Sequence, residues 1–345
     1  MLRKTAWLAA AGATLFLAQA AAAQQCANRG ELDEMYCDEN KDLVADPPTD
    51  QSKWKNPSTL VFTYTPVEDP AVYEDAFRPF LAYLTQCTAK RVVYYQVTSN
   101  AAEIEAMRSG RLHVGGFSTG PTAFAVNLAG AVPFAVKGSE KGFESYKLIV
   151  LVKADSPYKT LAELKGRKVA HTSATSNSGN LSPRAFFPDQ GLVPDQDYKV
   201  IYSGGHDRTV MGVNSGDYDA GPVASDVFAR MVSRGQVKGE NFRTIWESQP
   251  FPTSSFAHAH DLAPELAKKL VQCFYDFRFP DEMKKSIGGG DDRFVPVTYE
   301  KEWAPVRFVA DKVNAPYNRA AYDAESKREL EAEAKKKAEK EQKKQ

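Results

Sequence analysis

From Leu60 onward the sequence alternates strand-like runs with helical stretches, and few folds accommodate that order. Leu60-Val61-Phe62-Thr63-Tyr64 reads as a buried strand. Pro70 then opens a helical pattern through Leu84, because proline is tolerated in a helix's first turn. Arg91 to Val97 is rich in β-branched and aromatic residues, which favours a strand. Ala101 to Arg108 reads as a helix stopped by Ser109-Gly110. Leu112 to Gly115 is a short strand, and Pro121 starts another helix. Such alternation predicts an α/β fold with a largely parallel sheet and helices on both faces.

An internal echo narrows this further. Met107-Arg108-Ser109-Gly110-Arg111-Leu112-His113-Val114-Gly115 is repeated in outline by Val213-Asn214-Ser215-Gly216-Asp217-Tyr218-Asp219-Ala220-Gly221. Each is a helix, a Ser-Gly stop and a short strand leading to a further helix. In this register Asn100 aligns with His206 and Gly120 with Asp226, so Asn100 and His206 each start a helix after a strand. In open α/β sheets, ligands bind beyond the carboxyl ends of the strands.

Length and the chain ends set the organisation. Arg3 and Lys4 precede an apolar run from Trp7 to Ala18 and then Ala20-Ala21-Ala22-Ala23, the layout of a secretory signal. The run is shorter than the roughly 20 residues a membrane span needs. About 320 residues follow, more than one core usually covers, so two lobes are expected. Tyr146 to Lys153 and Thr253 to His258 are extended in character and are read as the crossings between them. The division is then a signal peptide over 1–23, an N-terminal extension over 24–57, a first lobe from 58–152 plus 253–322, a second lobe over 153–252, and a charged tail over 323–345.

Charge and cysteines bear on partners and compartment. Lys and Arg number 44, as do Asp and Glu, so the formal net charge is zero. That argues against a nucleic-acid binder, whose affinity rests on neutralising phosphates. Lys335 to Gln345 is nearly all Lys, Glu and Gln and reads as a solvated tail. Cys26, Cys37, Cys87 and Cys273 suit disulfides in an exported protein. Cys26 with Cys37 would staple the extension, and Cys87 with Cys273 would need two distant helices to meet; the sequence does not fix the pairing. Asp38, Asn40, Asp42, Val44 and Asp46 place oxygens at alternate positions, like the first part of a calcium loop. The usual glycine is Leu43, however, and position twelve is Thr49, so other segments would have to complete the six to eight oxygens calcium needs. An acidic solvated linker is the competing reading.

The richest segment for ligand chemistry is His171-Thr172-Ser173-Ala174-Thr175-Ser176-Asn177-Ser178-Gly179-Asn180. A strand leads into a hydroxyl-rich loop, and a helix follows toward Phe187. Small residues let an anion approach the backbone, and free N–H groups at a helix start point toward it. Ser176, Asn177 and Ser178 can donate further hydrogen bonds without a neutralising cation, although Ser, Thr and Asn are also ordinary caps. After the strand ending at Tyr202, Gly204-Gly205 allows a tight turn that projects His206 toward the same edge. Asp226 follows the strand Tyr218 to Gly221. It is a helix cap or an acceptor for a proton on His206 or on a ligand oxygen.

With these residues in place, the chain resembles the phosphate, phosphite and phosphonate periplasmic binding proteins of ABC transporters. The resemblance covers about residues 58 to 320. It rests on Ser176-Asn177-Ser178-Gly179, Gly205-His206-Asp207, Asp219-Ala220-Gly221 and Asp226, with Val67-Glu68-Asp69-Pro70 and Met107-Arg108-Ser109-Gly110 in support. It implies a type II periplasmic binding fold of two lobes joined by two crossing segments, with the serine loop, His206 and Asp226 contacting the phosphorus group. Asn100 and Phe117 stand where the family often has tyrosine, and Phe117 brings no hydroxyl. The acid that reads the amine in aminophosphonate binders is replaced within Thr253-Ser254-Ser255, which disfavours such ligands.

The reading favoured by these features is a periplasmic, monomeric solute-binding component. It takes a small phosphorus oxyanion, needs no cofactor unless the acidic loop holds calcium, and serves an ABC permease. Two others are an exported enzyme on the same fold and a calcium-dependent sensory or adaptor module. The enzyme reading is weakened because no cysteine lies beside the cleft motifs and there is no HExxH; His206 with Asp226 is the one pair that could act as acid and base.

Overall fold

The computed structural model describes residues 26–68, 71–143 and 145–324, with 326–328, 331 and 334 beyond them. The expected signal peptide over 1–23, Asp69, Pro70 and most of the tail from 323 lie outside the described residues.

The first sheet contains β1 (Thr59–Tyr64), β2 (Arg91–Tyr94), β3 (Val114–Phe117), β4 (Ala131–Gly138), β10 (Ser255–Ala259) and β11 (Arg293–Pro296), in the order β11-β4-β10-β3-β1-β2. The second contains β8 (Ala220–Ala224), β5 (Tyr146–Lys153) and β9 (Phe242–Phe251) in the order β8-β5-β9. The short parallel pair β6 (Ala170–His171) and β7 (Ile201–Tyr202) joins it through a parallel bridge between Val169 and Ala220. The helices that position the site are α1 (Ala71–Thr88), α2 (Asn100–Arg108), α3 (Thr119–Ala129), α4 (Ser182–Phe186), α5 (His206–Ser215), α6 (Ser225–Ser233) and α7 (Pro264–Asp276).

Two expectations need correcting. The sheets are mixed rather than largely parallel: β1 pairs in parallel with β2 and β3, but β10 is antiparallel to both β3 and β4. A strand that arrives directly from the other sheet, without a helical crossover, enters running the opposite way. Tyr146–Lys153, read as a crossing segment, is instead the central strand of the second sheet, antiparallel to β8 and β9. Its buried run Leu148-Ile149-Val150-Leu151-Val152 is what a strand covered on both faces requires.

The echo in the sequence is structural. The unit α2–β3 lies in the first sheet and α5–β8 in the second, and Asn100 and His206 are each the first residue of their helix. Under the first sheet, Phe62, Phe77, Phe80, Phe256, Phe274 and Phe294 form one aromatic cluster between the strands, α1 and α7. The two distant helices do meet there: Cys87 on α1 pairs with Cys273 on α7, with Cα atoms 6.0 Å apart. Cys26 pairs with Cys37. The extension they staple buries Leu32, Tyr36 and Ala45 against the first lobe, and Asp33 holds Arg108 at 3.0 Å.

Candidate functional site

The loops at the carboxyl ends of β1, β3, β6, β7 and β8 converge on a narrow cleft with a cavity volume of about 30 Å³. Ser176, Asn177, Ser178, His206 and Asp226 all line it, together with Tyr64, Ser118, Thr119, Lys137, Tyr146, Arg230 and Ser254.

The serine loop forms one wide helical turn, Asn177–Leu181, that runs into α4. Ser176 caps it, its Oγ accepting from the Gly179 N–H at 3.1 Å. The next N–H, that of Asn180, donates to the Ser176 carbonyl. Asn177 and Ser178 therefore stand at the open amino end of the turn, ahead of its first internal bonds. Gly179 is required here, since a Cβ would lie 1.8 Å from Thr172 Oγ1. Ser178 is 1% exposed, and its Oγ makes no full hydrogen bond, although it neighbours the Tyr146 hydroxyl. A buried hydroxyl left unpaired costs on the order of 1–3 kcal/mol, so the position calls for an acceptor.

His206 faces the loop. The Ala224 N–H donates to its Nδ1 at 3.1 Å, which places the proton of the neutral ring on Nε2. Nε2 lies 3.4 Å from Ser176 Oγ. Burial pushes the imidazole pKa down to about 4, so near neutral pH it is an uncharged N–H donor. Across the cleft the amino end of α3 is open as well: Ser118 precedes it without a side-chain cap bond. The two helical amino ends meet closely. A Cβ on Gly120 would lie 2.3 Å from the Thr175 carbonyl and 2.9 Å from the Asn177 nitrogen. Both ends present partial positive charge to the same space.

Charged groups close one side. Asp226, with about a third of its side chain exposed, pairs with Arg230 at 2.8 Å. Burial works against its carboxylate, but Arg230 and then Lys137 outweigh it and hold the pKa below the usual range. Arg230 also reaches Glu68 of the first lobe at 3.0 Å, and Arg234 reaches the same carboxylate at 2.6 Å. The Tyr146 hydroxyl accepts from Asn177 Nδ2 at 3.1 Å, and burial raises its pKa to about 12.

Two residues from the sequence reading are not among the cleft lining. Asn100 instead bridges the lobes. Its Oδ1 accepts from Thr65 Oγ1 at 2.9 Å, and its Nδ2 donates to Thr175 Oγ1 at 3.1 Å. Phe117 is fully buried in the core beneath the site, as a ring with no polar atom on a covered strand must be.

The comparisons with known proteins show the family and the fold. The family model of ABC transporter phosphonate periplasmic substrate-binding proteins matches residues 62–303. The chain belongs to that family. It is 29% identical over 231 residues to the phosphate-import protein PhnD of Mycolicibacterium smegmatis, covering 63% of this chain and 71% of that one. It is 26% identical over 201 residues to the probable ABC transporter phosphite binding protein PhnD1 of Prochlorococcus marinus, covering 56% of this chain and 67% of the relative. In fold it is similar to the solved structure of Prochlorococcus marinus PhnD1 in complex with methylphosphonate, with a TM-score of 0.66 and 20% identity over 75% of this chain and 99% of that one. Family membership makes the chain a substrate-binding component of an ABC transporter rather than an enzyme. The two-lobed type II periplasmic binding fold is the family's. The Asp226 carboxylate is held by Arg230, and His206 Nδ1 accepts from a backbone N–H.

Among the described residues no group of three or more His, Cys, Asp or Glu side chains gathers to hold a metal ion. Asp38, Asn40, Asp42, Val44 and Asp46 form a loop closed on itself. The Asp38 carboxylate accepts from the N–H groups of Asp42 and Leu43, Asn40 Oδ1 from Asp42, Asp42 Oδ1 from Val44, and Asp46 from Glu39. Side chains that satisfy their own loop explain the alternate spacing. Members of the family bind their ligand without a cofactor.

The sequence reading missed Lys137, Arg230, and Ser118 with Thr119. Arg230 lies four residues after Asp226, the spacing of a helical ion pair. Lys137 is the one charge in the strand Ala131-Val132-Pro133-Phe134-Ala135-Val136-Lys137, where buried lysine is rare. Ser118 follows β3 as the serine loop follows β6.

Proposed function

We propose that the cleft binds a small phosphorus oxyanion, phosphate, phosphite or an alkylphosphonate, by closure of the two lobes, and that the chain delivers it to an ABC permease from the periplasm as a monomer. One lobe is built on the first sheet, and the other on the second, over about 153–252 with β5 added to it. Their hinges are the two links from β4 to β5 and from β9 to β10. The lobe with the second sheet supplies Ser176, Asn177, Ser178, His206 and Asp226; the lobe with the first supplies the amino end of α3. Only the closed state holds the anion with both sets, so the ligand stabilises closure by that difference.

The observation that carries the reading is the buried, unpartnered Ser178 Oγ beside a neutral Nε2–H donor and two open helical ends. Asp226 remains ionised and favours a ligand oxygen that still carries a proton. No helix among the described residues is long and apolar enough to cross a membrane. Thr253-Ser254-Ser255, the stretch where aminophosphonate binders of the family carry an acid, holds no carboxylate, which disfavours aminoalkylphosphonates. The names of relatives that handle phosphate and phosphite, and a similar fold solved with methylphosphonate, support the same class.

Titration calorimetry tests it. Ser178→Ala and His206→Ala are each expected to weaken the best of phosphate, phosphite and methylphosphonate by about 1 kcal/mol or more. Because Ser178 is unpaired without ligand, Ser178→Ala is also expected to leave the ligand-free melting temperature unchanged or higher. Unchanged affinity in both variants rejects the site.

A further inference from the structure

Lys137 sits on β4 opposite Phe294 of β11, is 6% exposed, and lines the cleft. Its Nζ donates one hydrogen bond, to the carbonyl of Ile287, although an ammonium carries three N–H groups. Among the described residues no carboxylate lies within ion-pair distance of it. The nearby acids are committed elsewhere: Glu68 to Arg230 and Arg234, and Asp226 to Arg230. Asp291 draws on Lys137 electrostatically, and Arg230 repels it. Lys137 and Arg230 thus line the cleft together with Asp226. Burial pushes the Lys137 pKa down to about 8, which still leaves the ammonium form prevailing at neutral pH. A buried ammonium with unused donors favours an anionic oxygen and disfavours hydrogen, methyl or a second ammonium in its place.

We propose that Lys137 is the specificity-determining residue of this cleft: it requires an oxygen on the ligand face turned toward it. The preferred class is then the fully oxygenated tetrahedral anion, inorganic phosphate, ahead of phosphite and alkylphosphonates, with aminoalkylphosphonates last. This rests on the reading of the cleft as an oxyanion site.

The test is calorimetry of the wild-type chain, Lys137→Met and Lys137→Gln against inorganic phosphate, phosphite, methylphosphonate and 2-aminoethylphosphonate, with folding checked by circular dichroism. The wild type is expected to prefer phosphate over methylphosphonate by about tenfold or more, the scale of one hydrogen bond to a charged group. Lys137→Met is expected to lose that preference by weakening phosphate while changing methylphosphonate by less than about threefold. Lys137→Gln keeps a donor without the charge and is expected to fall between; should the Met variant not fold, the same ratio in the Gln variant decides. A wild type that prefers methylphosphonate, or variants that keep the wild-type ratio, overturns the role of Lys137 and leaves the oxyanion site standing. A wild type that binds none of the four overturns both.

Discussion

Glu103 on α2 is fully buried, and neither carboxyl oxygen has a hydrogen-bond partner. The neighbouring Thr65 hydroxyl donates to Asn100 instead. Burial holds the Glu103 pKa well above its ordinary value. A carboxyl raised in the folded state contributes stability that is intact below its unfolded pKa and is lost as pH rises toward the folded one. Glu103→Leu is therefore expected to raise the melting temperature at pH 8 by about 2–4 °C, the equivalent of roughly 1 kcal/mol, with a smaller gain near pH 4. Thermal melts across that range check it, and a loss of stability at pH 8 contradicts the assignment. Nothing in the sequence marks Glu103 as buried, since its place in a first helical turn is ordinary for an acid. His206 was legible because a Gly-Gly turn after a strand aims the next side chain at the sheet edge. Its Nε2–H tautomer was not, because that depends on the Ala224 N–H from another strand.

At the level of elements, α6 ties the cleft to the other lobe. Arg230 on α6 and Arg234 at its carboxyl-end cap stand four residues apart, and both grip Glu68 of the opposite lobe. Burial works against the Glu68 carboxylate, and the two guanidinium groups outweigh it. Removing one partner of a buried ion pair strands the others. Glu68→Gln is expected to weaken ligand binding by about tenfold or more and to enlarge the radius of gyration without ligand, read by calorimetry and solution scattering. Wild-type values for both dissociate the clasp from closure. The helix-to-strand unit repeated at Met107 and Val213 was readable in advance, because Ser-Gly stops and short strands carry local signals. The direction of β10 and the sheet membership of β5 were not. Those follow from how one lobe is inserted in the other, a long-range property that strand composition does not encode.

Across the whole molecule, the cleft depends on two sheets offering their carboxyl-end loops to the same space. The sequence announced the second lobe's share, a serine loop followed by His206 and Asp226, because those residues lie within about 50 positions of one another and each follows a strand. The first lobe's share was harder to see, since Ser118-Thr119 looks like any helix start and Lys137 ends a buried strand. Asn100 and Phe117, proposed by alignment to the family pattern, serve lobe contact and core instead. The most direct measurement is a crystal structure of the protein saturated with inorganic phosphate. A tetrahedral anion is expected in the cleft, accepting from Ser178 Oγ and His206 Nε2 and flanked by the amino end of α3. Phosphate bound only elsewhere, with Ser178 Oγ still unpartnered, contradicts it.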